Sequence, residues 1–215
     1  MRGLETELTM IVGNMFGGKT STLGKILSHE VYDGKNVQAF RVSLDKRFGK
    51  IYIKTHDGAT FKKVPTIIVQ DTEELIKNLK KDTQIIGIDE IQFFDDYILK
   101  FIKGNMGKYK IVVTGLPLDF RGEPFPFRRR KNMEQDSHYN MGNLSVYASE
   151  TITEHPGCRY SKNGKTCAKT AKYPQRFRSD GSPAEFEDPT IVVGGSDIYS
   201  PRCYNHFIRP EPESK

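Results

Sequence analysis

Only three cysteines occur in the 215 residues, and tryptophan is absent altogether. An odd, small number of thiols in a chain without an export signal excludes a disulfide framework and leaves metal binding or buried thiols as the options. No apolar run approaches the length of a membrane span, so a helical membrane protein is excluded as well. The opening sixteen residues, Met1 to Phe16, have a charged start and only a short apolar stretch. They lack the longer apolar region and small-residue cleavage site of a signal peptide, so the cytoplasm is the expected compartment. What is present is ordinary for a globular protein: 36% hydrophobic, 28% charged and 11% aromatic residues, enough to bury a real core. Thirty-three Lys and Arg against 27 Asp and Glu give a net charge of +6, which suits anionic partners. Part of that charge sits in one run, Arg128 to Lys131, whose commoner reading is an exposed loop, so nucleic acid is not the expected partner.

Along the chain, 8–12 reads as a short strand, followed by a glycine-rich turn and a helical pattern from Lys19 to Tyr32 that Gly34 can terminate. Further strands are predicted at Val37 to Arg41, Ile51 to Lys54 and Val64 to Val69. Asp71-Thr72-Glu73-Glu74 opens a helix running to about Lys81, with the acidic first turn that the helix dipole favours. Gln84 to Ile88 reads as a buried strand ending in Asp89-Glu90, and a helix over Asp95 to Lys103 leads to a strand at Lys110 to Thr114. Alternation of this kind over about the first 120 residues predicts an α/β layer around a mainly parallel sheet. Beyond Pro124 the composition changes: 126–142 is charged and polar, and from Thr153 onward come all three cysteines, frequent Gly and Pro, and little helical periodicity. The expected division is an α/β domain over 1–150 and a small irregular domain over 151–215, ending in a solvated tail from Arg209.

Gly13-Asn14-Met15-Phe16-Gly17-Gly18-Lys19-Thr20 fits the full G-x-x-x-x-G-K-[ST] pattern, and it lies between a predicted strand and a predicted helix. Backbone amides of such a loop can wrap a triphosphate, the next helix aims its positive end at the same charge, Lys19 can reach the outer phosphates, and Thr20 can ligate Mg2+. A glycine turn without ligand is the plain alternative, disfavoured by the flanking elements. Asp89 supplies the carboxylate that a P-loop needs at the end of a neighbouring strand. Glu90 follows it, placed to accept a hydroxyl proton or position a water beside the γ-phosphate; read without the P-loop, the pair could merely cap a helix.

Four blocks then occur in order: the P-loop, Asp89 to Phe94 (DEIQFF), Gly115 to Phe125 (GLPLDFRGEPF) and Ile191 to Tyr199 (IVVGGSDIY). Together they resemble the type II thymidine kinases, the zinc-containing family found in animals, bacteria and large DNA viruses. The resemblance implies a P-loop NTPase-like sheet with a small zinc domain carrying a lasso loop, and transfer of the γ-phosphate of ATP to the 5'-hydroxyl of thymidine or deoxyuridine. It implies that Glu90 is the base, that Thr20 and Asp89 are the Mg2+ positions and that Lys19 is the phosphate lysine. It places Asp45 and Arg47, an Asp-x-Arg pair, at the phosphates, Gln92 in the nucleotide site and Phe120 beside thymine. Thr190, Ile191, Val192, Val193, Gly194 and Tyr199 fall in the lasso, which folds over the nucleoside and reads the base largely through backbone groups. The family is a homotetramer, and this is the expected assembly.

Cys203 and His206 form a C-x2-H pair, and Cys158 with Cys167 could complete a closed Cys3His set suited to structural zinc. The family carries zinc at this place, but its first pair is usually C-x2-C, whereas here eight residues separate Cys158 from Cys167. His155, three residues before Cys158, competes for one position. A metal there is expected to fix the exit of the lasso, the P-loop being held by the sheet. Two other readings compete with the kinase: a DNA-dependent P-loop ATPase with a nucleic-acid-binding zinc module, and an ATP-binding regulator without turnover. The first gives Phe120 and the glycine-rich lasso no task, and the presence of Glu90 beside Asp89 speaks against the second.

Overall fold

The computed structural model describes residues 7–43, 51–54, 60–130, 139–192 and 194–212, with the backbone alone for 51–54, 60, 62 and 63. Its centre is a seven-stranded sheet built from β1 (Leu8–Val12), β2 (Val37–Val42), β3 (Ile51–Lys54), β4 (Thr60–Val69), β5 (Ile85–Asp89), β6 (Lys110–Gly115) and β7 (Glu150–Thr153). In space the order is β3-β4-β2-β5-β6-β1-β7. All neighbours run parallel except the edge strand β3, which is antiparallel to β4.

The central strands are mostly apolar because both faces are covered, as parallel sheets require. Alternation along them sorts side chains by face. Leu8, Met10, Ile86, Ile88, Ile111 and Val113 join the larger core cluster, with Phe94, Ile98 and Ile102. Ile11, Ile85 and Val112 point the other way, onto Leu23 and Leu27 of α1 (Lys19–Tyr32). β7 lies beside β1, so the parallel sheet takes in the chain up to Thr153.

Two helices begin or end away from their predicted limits, for identifiable reasons. α2 (Thr72–Asn78) starts on an Asp71 side-chain cap but stops before Lys81. The buried Gln38 side chain on β2 takes over there, donating to Asn78 O at 3.1 Å and accepting from Lys80 N at 2.7 Å. α3 (Tyr97–Asn105) begins two residues after Asp95, whose carboxylate accepts the Thr72 and Tyr97 amides at 2.7 and 3.0 Å. A short helix not evident in the sequence, α4 (Met141–Ser145), is fixed by a reciprocal capping box between Asn140 and Asn143.

Beyond β7 the described residues form two antiparallel ribbons, β8 (Ser161–Lys162) with β9 (Lys165–Thr166) and β10 (Tyr173–Arg176) with β11 (Tyr199–Arg202), joined by irregular segments. The loops after β1, β5 and β6 all leave from the same end of the sheet, where ligands of open α/β sheets bind. Among the described residues, no helix is long and apolar enough to cross a membrane.

Candidate active site

The phosphate loop connects β1 to α1. No side chain caps the N-terminus of α1 and its first turn has no acidic residue, so its positive end is available to an anion. Gly13 and Gly17 are required by close approach: a Cβ on either would stand 1.8 or 2.0 Å from the carbonyl oxygen of Glu154. Lys19 is buried and donates from Nζ to Asn14 O at 2.9 Å. Burial pulls its ammonium down, opposed by the carboxylates of Glu90, Asp89 and Glu154.

β6 separates the P-loop strand from β5, and its Thr114 joins the two halves of the site. Thr114 Oγ1 donates to Asp89 Oδ1 at 2.7 Å and accepts the Glu90 amide at 3.0 Å. Thr20 Oγ1 donates to the same Asp89 oxygen at 3.2 Å, so P-loop hydroxyl and strand carboxylate meet as expected. Arg41, opposite Asp89 on β2, brings Nη1 to 3.7 Å of Asp89 Oδ2. Burial pushes the Asp89 carboxyl up, Glu90 adds to this, and Arg41 and the two hydroxyls oppose it. Glu90 leaves the strand with φ 54° and ψ 52°, a left-handed backbone that costs a non-glycine residue roughly 1–2 kcal/mol. Such strain is retained where the side chain's direction matters. The fully buried Gln92 lies in the short 3-10 turn Ile91–Phe93 that follows, donating to Glu90 Oε2 at 2.5 Å and accepting from Leu116 N at 3.2 Å.

One cleft of about 850 Å³ unites these groups with distant parts of the chain. Met15, Phe16, Gly18, Lys19, Thr20, Arg41 and Glu90 line one part of it, and Phe120, Thr190, Ile191, Val192, Gly194 and Tyr199 another. Its volume is in the range that holds a small organic ligand. Phe120 is nearly buried, with the guanidinium of Arg176 at 3.6 Å and that of Arg121 at 4.3 Å from its ring centre. Arg121 also anchors the approach to the lasso. It donates to Phe186 O and Asp188 O at 2.7 Å each, to Thr190 Oγ1 at 3.0 Å and to Asp119 Oδ2 at 2.9 Å. At the far end Tyr199 donates its hydroxyl to Val192 O at 3.0 Å, closing the loop on itself. Asp188 is gripped by Arg178 at 2.9 and 3.0 Å, which holds its carboxyl down at about 2.

Cys158, Cys167, Cys203 and His206 converge, their ligand atoms all within 4.8 Å of one another. The spacings from His206 Nδ1 to Cys203 Sγ and Cys158 Sγ are 3.4 and 3.7 Å, and Cys167 Sγ lies 3.9 Å from Cys203 Sγ. A zinc tetrahedron with the usual bond lengths has edges of about 3.4–3.8 Å, so the set fits that ion. Burial pushes the Cys158 thiol up, but the Cys203 and Tyr160 amides and the His206 and Cys203 side chains outweigh it and bring it to about 7. Tyr160 stacks on the His206 ring at 4.0 Å. The eight intervening residues fold out as the β8–β9 hairpin, and the alternative ligand His155 is not part of the group.

His155 instead faces the P-loop, where its Nδ1 accepts the Asn14 amide at 3.3 Å. The Asn14 side chain donates to Ala171 O at 3.3 Å and Tyr173 O at 2.8 Å, and Arg159 lies 4.2 Å over the Phe16 ring. Besides the sheet, expected to hold the P-loop, the cysteine-bearing segment contacts the loop at four points. Asp45, Arg47 and Val193 lie outside the described residues, as does Lys131. In the basic run, Arg128 donates to Gln70 O at 2.7 Å, and Arg130 pairs with Glu73 and covers the Tyr97 ring at 4.6 Å, so these cations serve packing. The sequence reading missed Arg41, Thr114, Arg121, Glu154 and Arg176. Only Arg121, inside the Asp119-Phe120-Arg121 block, carried a local signal.

The family profile described as "Thymidine kinase" matches residues 6–131, the part that contains the P-loop, both carboxylates and Phe120. A curated thymidine kinase of Coprothermobacter proteolyticus is 34% identical over 204 residues, covering 94% of this chain and 91% of the relative. With residues of the P-loop, Glu90 and the lasso gathered around one cleft, these matches place the chain in the thymidine kinase family.

Proposed function

We propose that the protein transfers the γ-phosphoryl group of ATP to the 5'-hydroxyl of thymidine, giving dTMP and ADP. The observation that carries this reading is the cleft of about 850 Å³ shared by Lys19, Glu90 and the lasso residues, which brings the phosphate loop and the lasso to one site. Glu90 accepts the 5'-hydroxyl proton as the O5'–P bond forms and the bond from the γ-phosphorus to ADP breaks. The P-loop amides and Lys19 hold the phosphates and meet the charge that spreads over the transferring group. Thr20 and Asp89 offer a hydroxyl and a carboxylate oxygen 3.2 Å apart, hard donors suited to Mg2+, which when bound neutralises phosphate charge. Asp45 and Arg47 are assigned to the phosphates with them. The lasso backbone reads the base edge, because a wrong edge leaves buried polar groups unpaired. Cys158, Cys167, Cys203 and His206 would hold a structural zinc, which would tie together the segment that carries the lasso and the contacts to the P-loop. The proposal includes a homotetramer acting in the cytoplasm and a functional division of the chain near 150, just before the Cys3His segment.

The test is ATP consumption with thymidine, deoxyuridine, other nucleosides or single-stranded DNA added one at a time. Stimulation by thymidine with formation of its 5'-monophosphate supports the reading. Stimulation by DNA alone would favour the zinc-module ATPase, and no stimulation a regulator without turnover. Light scattering in solution tests the tetramer.

A further inference from the structure

We infer that His155 is a positioning residue of the phosphate loop: its unprotonated Nδ1 holds the Asn14 peptide in place, so that ATP binding weakens when the imidazole takes up a proton. The inference rests on the assignment of the Gly13–Thr20 loop to the phosphates of ATP.

Asn14 is the most heavily bonded residue of that loop. Its amide donates to His155 Nδ1 at 3.3 Å, and its side chain donates to Ala171 O and Tyr173 O. Its own Oδ1 accepts the Met15 amide at 2.8 Å, and its carbonyl accepts both Lys19 Nζ at 2.9 Å and the Gly17 amide at 3.3 Å. The peptide that His155 holds is therefore one residue from the carbonyl that aims the phosphate lysine. His155 is itself placed by its neighbour, since Glu154 packs its carbonyl against Gly13 and Gly17 and pairs its amide with Val12 O at 2.7 Å.

The bond to Asn14 is compatible with only one protonation state. An amide donor needs an acceptor, and Nδ1 accepts only when it carries no proton. In the imidazolium form both ring nitrogens are donors, so the contact becomes donor against donor. The surroundings favour the neutral ring: burial first, then the cations Lys172, just after Ala171, and Lys19 on α1, hold it below the usual histidine range. The adjacent Glu154 carboxylate is turned to α1, where it accepts the Thr22 hydroxyl at 2.6 Å. The carboxylates of Asp89 and Glu90 act on Lys19 across the loop. A proton on His155 adds a third cation to this group and removes the Asn14 bond. The charge by itself would draw a triphosphate in, while the lost bond loosens the cradle; the inference is that the second effect prevails.

The experiment is calorimetric titration of wild type, His155→Asn and His155→Leu with ATP and, separately, with thymidine, from about pH 8 down to about pH 5, below the depressed range of this imidazole. Asparagine offers an acceptor oxygen where Nδ1 stands and does not titrate; leucine offers none. At the upper pH, His155→Leu is expected to bind ATP about two- to tenfold more weakly, the worth of one hydrogen bond, with His155→Asn close to wild type. On acidification, wild type should lose ATP affinity relative to His155→Asn, a comparison that cancels protonation of ATP itself. Thymidine affinity should stay level across the three proteins. Wild type and His155→Asn declining in parallel, wild type tightening relative to it, or His155→Leu matching wild type at the upper pH would each overturn the inference. Should His155→Leu fail to fold, the comparison of wild type with His155→Asn decides alone. Wild type and Lys19→Ala are titrated alongside: ATP binding that ignores Lys19 would undo the phosphate-loop assignment itself, a different failure from ATP binding that ignores His155.

Discussion

Gln92 holds Glu90 by one end and the main chain by the other: Nε2 donates to the Glu90 carboxylate at 2.5 Å while Oε1 accepts the Leu116 amide at 3.2 Å. Glu90, the proposed base, is thereby tied to the end of β6.

Replacing Glu90 by Gln removes proton acceptance and keeps the shape, so kcat should fall by roughly 10²–10⁴-fold with ATP and thymidine affinities nearly unchanged. Gln92→Met should also lower kcat, by about tenfold, because it frees the base and strands a buried amide. Steady-state kinetics paired with direct binding separate these effects. Turnover close to wild type in Glu90→Gln would remove the base assignment.

Lys19→Ala deletes the buried cation held by Asn14 O, the proposed phosphate lysine. Loss of such an electrostatic group is expected to cost roughly 10²–10³-fold in kcat and to weaken ATP binding as well. Isothermal binding of ATP and a turnover assay read the two losses separately. A variant that phosphorylates thymidine at the wild-type rate would show that the loop is not the ATP site.

Removal of metal by a chelator, or the variant Cys203→Ser, should weaken thymidine binding and also ATP binding. A structural metal holds its small domain in shape, and that segment supplies His155, Ala171 and Tyr173 to Asn14. Metal content by elemental analysis, followed by separate titrations with each substrate, is the measurement. ATP affinity untouched by complete metal loss would mean that the four contacts to the P-loop carry no weight.

Arg121 to Ala breaks the bonds to Phe186, Asp188 and Thr190 that anchor the lasso. Thymidine affinity is expected to drop about tenfold or more, as charge-assisted bonds are lost, while ATP affinity holds. Arg121→Lys should recover little, since an ammonium cannot reproduce a planar fork that reaches several acceptors. A uniform loss for both substrates would point to general destabilisation instead.

The parallel sheet and the P-loop were legible because their signals are local: apolar strand runs, a glycine pattern, a lysine and a threonine in fixed order. Asp89 and Glu90 were legible because they end such a run. Arg41, Thr114 and Arg176 were not, because each acts across strands or between distant segments, and no spacing along the chain encodes which strands become neighbours. His155 shows the same limit differently. Its place three residues before Cys158 suggested a ligand, yet the fold turns it toward Asn14, whose number differs from its own by 141. The early end of α2 likewise depended on Gln38, a side chain from another strand.

The hairpin between Cys158 and Cys167 turns on Asn163 and Gly164, both with positive φ of 51° and 74°, the conformation of a tight two-residue reversal. Its root is pinned by Cys158 N to Lys169 O at 2.7 Å and Cys167 N to Tyr160 O at 2.9 Å, so the two thiols meet at the base however long the arm is. The arm is a detour in the chain and not in the coordination sphere. Growth by matched residues on both limbs preserves the pleat, and with it the face on which each cysteine stands. A spacing of eight residues here and the two of the family pattern differ by six, an even number, and both can deliver the same tetrahedron. Length variation in this family of sites is thus expected to come in pairs, and the Asn163-Gly164 tip is the place where a tag or an inserted peptide can be carried without disturbing the ligands.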